Sequence, residues 1–203
     1  LGKGNTKNAI GIYLRAIRSI YNAAIDEDQF IPIKNPFKIY KIPSSTRTKK
    51  RAISKDKINN IKKLNYEVDS PLWHTRNYAL IMFYCRGMNF IDLVKIKVKH
   101  ITDLHLFYGR SKSGQPFAIK IVDELRIILK YYLNEKKPDD YLFPANYDGS
   151  TAHFQKYKSQ RRRMNERLKI IAKDAGIEGD FTTYYIRHSW ATIAKYMGIS
   201  TAL

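Results

Sequence analysis

Three segments of this chain place cationic side chains where they can manage the charge of a phosphate. FYCRGMNFIDLVKIK sets Arg86 at the end of an apolar run. GRSKSGQ sets Lys112 at the tip of a Gly-containing turn, with Arg110 two residues before it. TTYYIRHSWATIAKYMG sets Arg187 in the first turns of a helical pattern. Attack on a phosphodiester builds charge on its two non-bridging oxygens. A planar guanidinium offers paired donors that match those oxygens and keeps its proton. Two arginines from different helices can clamp both, and removing one such preorganised donor typically costs roughly 10²–10³ in rate. Other chemistries find no footing. There is no Gly-rich phosphate loop and no HExxH. His74, His100, His105, His153 and His188 show no ligand spacing, and the sparse acidic residues do not cluster as a two-metal nuclease requires. The expectation is a site without metal or cofactor.

The overall charge points the same way. The 203 residues include 37 Lys and Arg against 18 Asp and Glu, a formal charge of +19. Such a charge repels itself in a compact state and calls for a polyanionic partner. The basic residues are spread through periodic segments and not gathered in a tail, which favours a folded surface contacting nucleic-acid phosphates. With 44% apolar and 27% charged residues, wholesale disorder is excluded. No run approaches the roughly 18 apolar residues of a membrane span, and no signal peptide opens the chain. Cys85 is the only cysteine, so a disulfide framework and a Cys-based zinc site are excluded and a reducing cytoplasm is expected. The chain starts at Leu1 and not at Met, and is read as a fragment of a longer protein.

The elements that must position these cations are mostly helical. Residues 5–25 carry Ala9, Ile10, Tyr13, Ile17, Ile20, Tyr21 and Ala24 at three- and four-residue spacing, with Asn5 or Thr6 as cap and Asp26-Glu27-Asp28 as the closing turn. Asn35-Pro36 and Pro43 break the chain. The polar, basic stretch PSSTRTKKR at 43–51 reads as a linker. The piece before it, about 45 residues, is too short for a core of its own. Beyond the linker, Ser54 caps a helix to about Leu64. Ser70-Pro71 starts another from Leu72 to Cys85, apolar almost all round and hence central, which Gly87 ends. A short helix runs from Phe90 to Lys95. LHLFYGR and PFAIKI, joined by SKSGQ, form a hairpin. Helical spacing returns at 123–135 and 152–175, the latter ended by Gly176-Ile177 as by a Schellman motif. A last helix starts at Thr182 or Thr183 and ends at Gly198-Ile199. The fold class is mainly α with one small antiparallel sheet (α+β).

This order of arginine, hairpin lysine and a box containing RHSWAT resembles the tyrosine recombinase (phage integrase) family, as found in bacterial mobile elements, over about residues 5–203. The Leu142-Phe143-Pro144 stretch falls in the right place too. The resemblance implies that residues 1–45 are the C-terminal part of a helical core-binding domain. Residues 46–203 are then a catalytic domain, incomplete at its C-terminus. It implies a site-specific recombinase that cleaves and rejoins double-stranded DNA at an attachment site through a 3′-phosphotyrosyl intermediate, as a homotetramer on DNA. It also implies a bacterial cytoplasm beside the nucleoid and no membrane partner. Arg86 and Arg187 would hold the scissile phosphate. Lys112 would deliver a proton to the 5′-hydroxyl leaving group, since a lysine's pKa is tunable. Covalent attachment preserves the phosphodiester energy, so religation needs neither ATP nor metal.

The sequence departs from that pattern in three places. Aligning Asp92-Leu93 with the family's Glu-Leu puts Asn89 where an arginine is usual, and Arg86 lies nearly one turn earlier. Tyr184 stands for the His of His-x-x-Arg, and a phenol positions a phosphate better than it moves a proton at pH 7. The nucleophilic tyrosine is expected beyond Leu203, with Tyr196 read as packing on the last helix. His188, beside Arg187, is a candidate supporting group, as a core or second-layer histidine before a base. Lys49, Lys50 and Arg51 in the linker, Arg110 on the hairpin, and Arg161, Arg162 and Arg163 on the long helix are candidate DNA-backbone contacts. Trp73 and Trp190 are expected in the core, and Cys85 is expected to be inert. A non-catalytic DNA-binding protein on the same scaffold stays open, favoured by Asn89 and Tyr184. A basic RNA-binding module lacks an aromatic RNP strand or a GXXG loop.

Overall fold

The computed structural model describes residues 4–46 and 51–199. Lys49 and Lys50 lie outside them. The chain divides into two compact units, residues 1–50 and 51–203.

In the first unit, α1 spans Lys7–Asp26. The Thr6 hydroxyl accepts the Ala9 N–H at 3.2 Å and is the cap. The Tyr21 ring lies edge-on to Phe30 and Phe37, with centroids 5.7 and 5.5 Å away. Asn35-Pro36 does more than break the chain. Asn35 accepts the Phe37 N–H at 2.9 Å and opens a single helical turn, α2, at Pro36–Ile39. The stripe of α1 is formed but left open: Tyr13, Ile17 and Ile20 are 60%, 54% and 72% exposed.

The second unit is built around α4, Pro71–Tyr84. Its Ser70 cap accepts the Trp73 N–H at 3.2 Å. Because α4 is apolar almost all round it packs with most of its surface, and Trp73, Tyr78, Leu80, Ile81 and Met82 are all buried. Around it stand α3 (Lys55–Lys63), α5 (Phe90–Leu93), α6 (Asp123–Leu133), α7 (Phe154–Asp174) and α8 (Thr183–Tyr196). Gly176 and Gly198 close α7 and α8 with positive φ. Ile177 and Ile199 donate back to Ala172 and Ala194 at 2.8 and 2.9 Å, which is the Schellman bond.

The sheet is one antiparallel hairpin, β1 (His105–Gly109) with β2 (Pro116–Lys120). Its register pairs Leu106 with Ile119 and Tyr108 with Phe117 on the face turned to the core. The mainly helical fold with one small antiparallel sheet is as the sequence implies. Two aromatic placements are not. Tyr196 is 82% exposed, because it falls on the solvent side of the last turn of α8. Trp190 is half-buried and lies outside the core, whereas Trp73 is buried. Among the described residues no helix is long and apolar enough to cross a membrane.

Candidate phosphate-binding site

The site begins where α4 stops. Cys85 caps the helix, and Arg86 and Gly87 follow with φ of 57° and 69°. Two consecutive left-handed residues turn the chain back sharply, and Met88 N–H reaches the Met82 carbonyl at 3.0 Å. This turn presses Gly87 against α8. A Cβ on Gly87 would stand 3.0 Å from the Arg187 Cα and 3.2 Å from its Cγ. The Arg187 Nη1 donates to the Gly87 carbonyl at 2.9 Å. One donor of the guanidinium is thereby spent on orientation, and the others remain for a ligand. Arg86 sits exposed immediately before this contact, past the helix end and not on it.

α8 is tied down from two sides. Asn165 of α7 accepts the Thr183 N–H at 3.0 Å. Buried Ser189 donates to the Tyr185 carbonyl at 2.7 Å and accepts the Ile53 N–H at 3.0 Å. Tyr184, 51% exposed, stands on the outer face with His188 edge-on at 4.3 Å and the Arg51 guanidinium 5.4 Å from its ring centre. The His188 Nε2 is buried and finds no hydrogen-bond partner among the described residues. Thus Tyr184, Arg187 and His188 share one short stretch of α8, with Arg51 over the tyrosine.

The hairpin is joined to the same region by an acid that the sequence reading used only as an alignment mark. Asp92 on α5 is 2% exposed. Its Oδ1 accepts the Ser111 N–H at 2.8 Å, and its Oδ2 accepts from the Asn89 amide at 3.5 Å. The root of the hairpin is therefore fixed on a buried carboxylate. The available signal was a lone acid inside the apolar run FIDLV, since an ionised group is buried only with partners. Beyond that root the turn is open. Lys112 is exposed, and Gly114 takes the left-handed conformation that lets the strand return. Lys95 donates to the Ser111 hydroxyl at 3.3 Å.

Electrostatics mark the same group of residues. Burial pushes the Arg187 guanidinium below its ordinary pKa, and the neighbouring Arg110 charge pushes it further, while Tyr108, Asp92 and Tyr184 act in the opposite sense. Burial raises the Tyr108 phenol, and Asp92 adds to that rise. The thiol of Cys85, fully buried below this site, is pushed up to about 12 by burial, so it stays protonated and inert as the sequence implies.

The cations of α7 are different. Arg161, Arg162 and Arg163 are all exposed. Arg161 lies over the Tyr157 ring at 5.8 Å, and Arg162 has Glu166 at 3.8 Å, one turn on. They form a charged outer face and do not join the group around Arg187. No cluster of His, Cys, Asp and Glu able to hold a metal occurs among the described residues.

Comparison with known proteins places this arrangement. A family profile described as the phage integrase family matches residues 53–202. The tyrosine recombinase XerD of Listeria innocua is 24% identical over 209 residues, covering 94% of this chain and 63% of the relative. The tyrosine recombinase XerA of Saccharolobus solfataricus is 27% identical over 117 residues, covering 56% of this chain and 34% of the relative. This chain thus spans less than two thirds of the length of these curated relatives. Among solved structures, the integrase of the Tn1549 transposon in complex with circular intermediate DNA superposes with a TM-score of 0.59. It is 14% identical, over 98% of this chain and 70% of that one. A lambda integrase dimer bound to a core site superposes with a TM-score of 0.56 at 16% identity, over 88% of this chain and 61% of that one. The match over most of the chain, on the fold that carries Arg187, the Gly87 turn and the hairpin, shows that the chain belongs to the phage integrase family of tyrosine recombinases.

Proposed function

We propose that this chain is the phosphate-handling part of a site-specific DNA recombinase, which cleaves and rejoins duplex DNA through a 3′-phosphotyrosyl intermediate without metal. Residues 46–203 act as the catalytic domain. Residues 1–45 are the end of a helical core-binding domain, a reading supported by the largely exposed apolar stripe of α1. The observation that carries the proposal is the junction of Arg187 with the Arg86–Gly87 turn. A guanidinium and a backbone carbonyl a hundred positions apart are joined there, and the carbonyl belongs to the residue that follows Arg86. Arg187 and Arg86 hold the non-bridging oxygens, and Tyr184 and His188 support them. Lys112, exposed on the hairpin turn, protonates the leaving 5′-oxygen. Arg51 and the α7 arginines Arg161, Arg162 and Arg163 take flanking phosphates, with Lys49 and Lys50. The full-length protein acts as a homotetramer on its attachment site, beside the nucleoid in the bacterial cytoplasm.

The nucleophile in this reading comes from beyond Leu203. Tyr196 lies nine residues past Arg187 on one continuous helix, which separates them by roughly 13 Å along the axis. In-line attack needs the reacting atoms about 3–3.5 Å apart. The test is a nicked duplex carrying the attachment site, incubated with this chain and with the chain extended past Leu203 by its natural sequence. The extended protein forms a covalent adduct with DNA and this chain binds without forming one. Absence of any adduct from the extended protein on its true site would establish a DNA-binding module in place of an enzyme. Adduct formation at the wild-type rate by Arg86→Ala would remove Arg86 from the phosphate.

A further inference from the structure

We propose that Arg110 is a third phosphate-contacting arginine of this site, meeting the same oxyanion as Arg187 from the root of the hairpin. The inference rests on the strand-transfer reading above and makes Arg110 a member of the reacting centre instead of a peripheral DNA-backbone contact.

Its backbone is fixed at every group that hydrogen bonds. The Arg110 N–H donates to the Gln115 carbonyl at 2.9 Å, and its own carbonyl accepts Gly114 N–H at 2.8 Å and Ser113 N–H at 3.2 Å. The next residue, Ser111, is bound through its N–H to buried Asp92 at 2.8 Å. The side chain is the opposite. Its Nε is buried with no partner, and the guanidinium makes neither a hydrogen bond nor an ion pair among the described residues. A buried guanidinium donor cannot escape its cost by deprotonation, so an unmet one marks a place where a ligand supplies the acceptor.

The surroundings identify that ligand by charge. Arg110 adjoins Ser111, which is bound to Asp92; Asp92 also accepts from Asn89, two residues past the Gly87 that holds Arg187, so the two arginines stand on connected supports and Asp92 is already engaged by the Ser111 and Asn89 donors. Two guanidinium groups carried by connected stretches of backbone, each with free donors, repel on approach until an anion lies between them. A tetrahedral oxyanion with several acceptor oxygens satisfies both at once. The two arginines enter from different supports, the Gly87 turn on one side and the Asp92-anchored hairpin on the other. Arg110 therefore supplies fixed charge on the side where Asn89 supplies none, while Lys112, two residues on and exposed, stays free to move a proton.

The test uses this chain and inorganic phosphate, read by the side-chain Nε–H signals of ¹⁵N-labelled arginine. The expected result is saturable movement of the Arg110 and Arg187 signals with one shared dissociation constant, while Arg161, Arg162 and Arg163 drift without saturating. Arg110→Gln weakens phosphate binding read at Arg187 by about tenfold. Arg110→Lys, which keeps the charge and loses the fork, falls between, and it provides the comparison should the Gln variant not fold. Unchanged phosphate affinity in both variants, alongside loss in Arg187→Ala, overturns the role of Arg110 and leaves the recombinase reading standing. Saturable binding at neither arginine of the wild-type chain overturns both.

Discussion

The arginines around Gly87 and those on α7 are the same residue type put to opposite physical uses. Arg187 has one donor bound to the Gly87 carbonyl and most of its surface removed from water, on a helix held by Asn165 and Ser189. Arg161, Arg162 and Arg163 stand exposed to solvent, with only the Tyr157 ring beside Arg161 and Glu166 beside Arg162. A preorganised donor acts on charge as it develops, because nothing must reorganise during the reaction. A solvated one contributes mainly to encounter and affinity, screened by salt. In the proposed reading the fold thus separates reaction from retention on the DNA, and the separation can be measured.

The sharpest break is Arg187→Ala. In the extended protein it lowers the rate of adduct formation by roughly 10²–10³ or more, while equilibrium binding to the duplex, read by gel shift or anisotropy, stays near wild type. Equal losses in both would put Arg187 in the same class as the α7 residues. The next effect concerns the support of that guanidinium. Gly87→Ala puts a methyl 3.0 Å from the Arg187 Cα in a residue with φ of 69°, and urea unfolding is expected to show a loss of about 1–3 kcal/mol. A variant as stable as wild type would mean that the turn and α8 part readily, and that Arg187 is less fixed than its contacts imply.

On the other side of the comparison, replacing Arg161, Arg162 and Arg163 together by Gln leaves the adduct rate of bound complexes unchanged. It lowers the slope of log affinity against log salt by about 2–3. A fallen rate at saturating protein would place one of them at the reacting phosphate. The smallest effect is on pH. It comes from two histidines outside both sets. His74 is lowered chiefly by burial, with Asp69 partly opposing, and Arg167 lowering it further. Burial, Lys99 and Lys97 lower His100, whose Nδ1 accepts the Lys97 N–H at 3.1 Å. A histidine harder to protonate folded than unfolded contributes stability above its ordinary value of about 6.5 and loses it as pH falls. The melting temperature should drop by a few degrees from neutral pH to the mildly acidic range, and the double variant His74→Gln, His100→Gln should flatten that drop. A double variant that kept the full drop would show that neither histidine is its source.

Local features were legible in the sequence wherever a near neighbour decides them. Ser54 and Ser70 cap α3 and α4, Gly176-Ile177 and Gly198-Ile199 end α7 and α8, and the run from Leu104 to Ile121 makes the hairpin. The same reasoning was weaker where a side chain's surroundings lie far along the chain. Tyr196 and Trp190 fit an apolar spacing, yet nothing among the described residues packs over the last turn of α8 to bury the tyrosine, and only part of the tryptophan is covered. Asp92 looked like a register mark and proved to be the anchor of the hairpin. Asn35-Pro36 looked like a break and is the start of a turn of helix, since proline suits a first helical position as well as it suits a loop.

Composition and spacing by themselves determined a basic, mainly helical member of a DNA-handling family, because charge, periodicity and caps are properties of residues within a few positions of one another. Which cations stand on neighbouring supports was decided only by the tertiary structure. The carbonyl of Gly87 and the guanidinium of Arg187 are a hundred residues apart, and the Arg110 hairpin is fixed by an acid nineteen residues before Ser111. Only the packing of α8 and the hairpin against the end of α4 and α5 closes those distances. That packing is driven by the burial of apolar faces, which carry no trace of the chemistry they bring together.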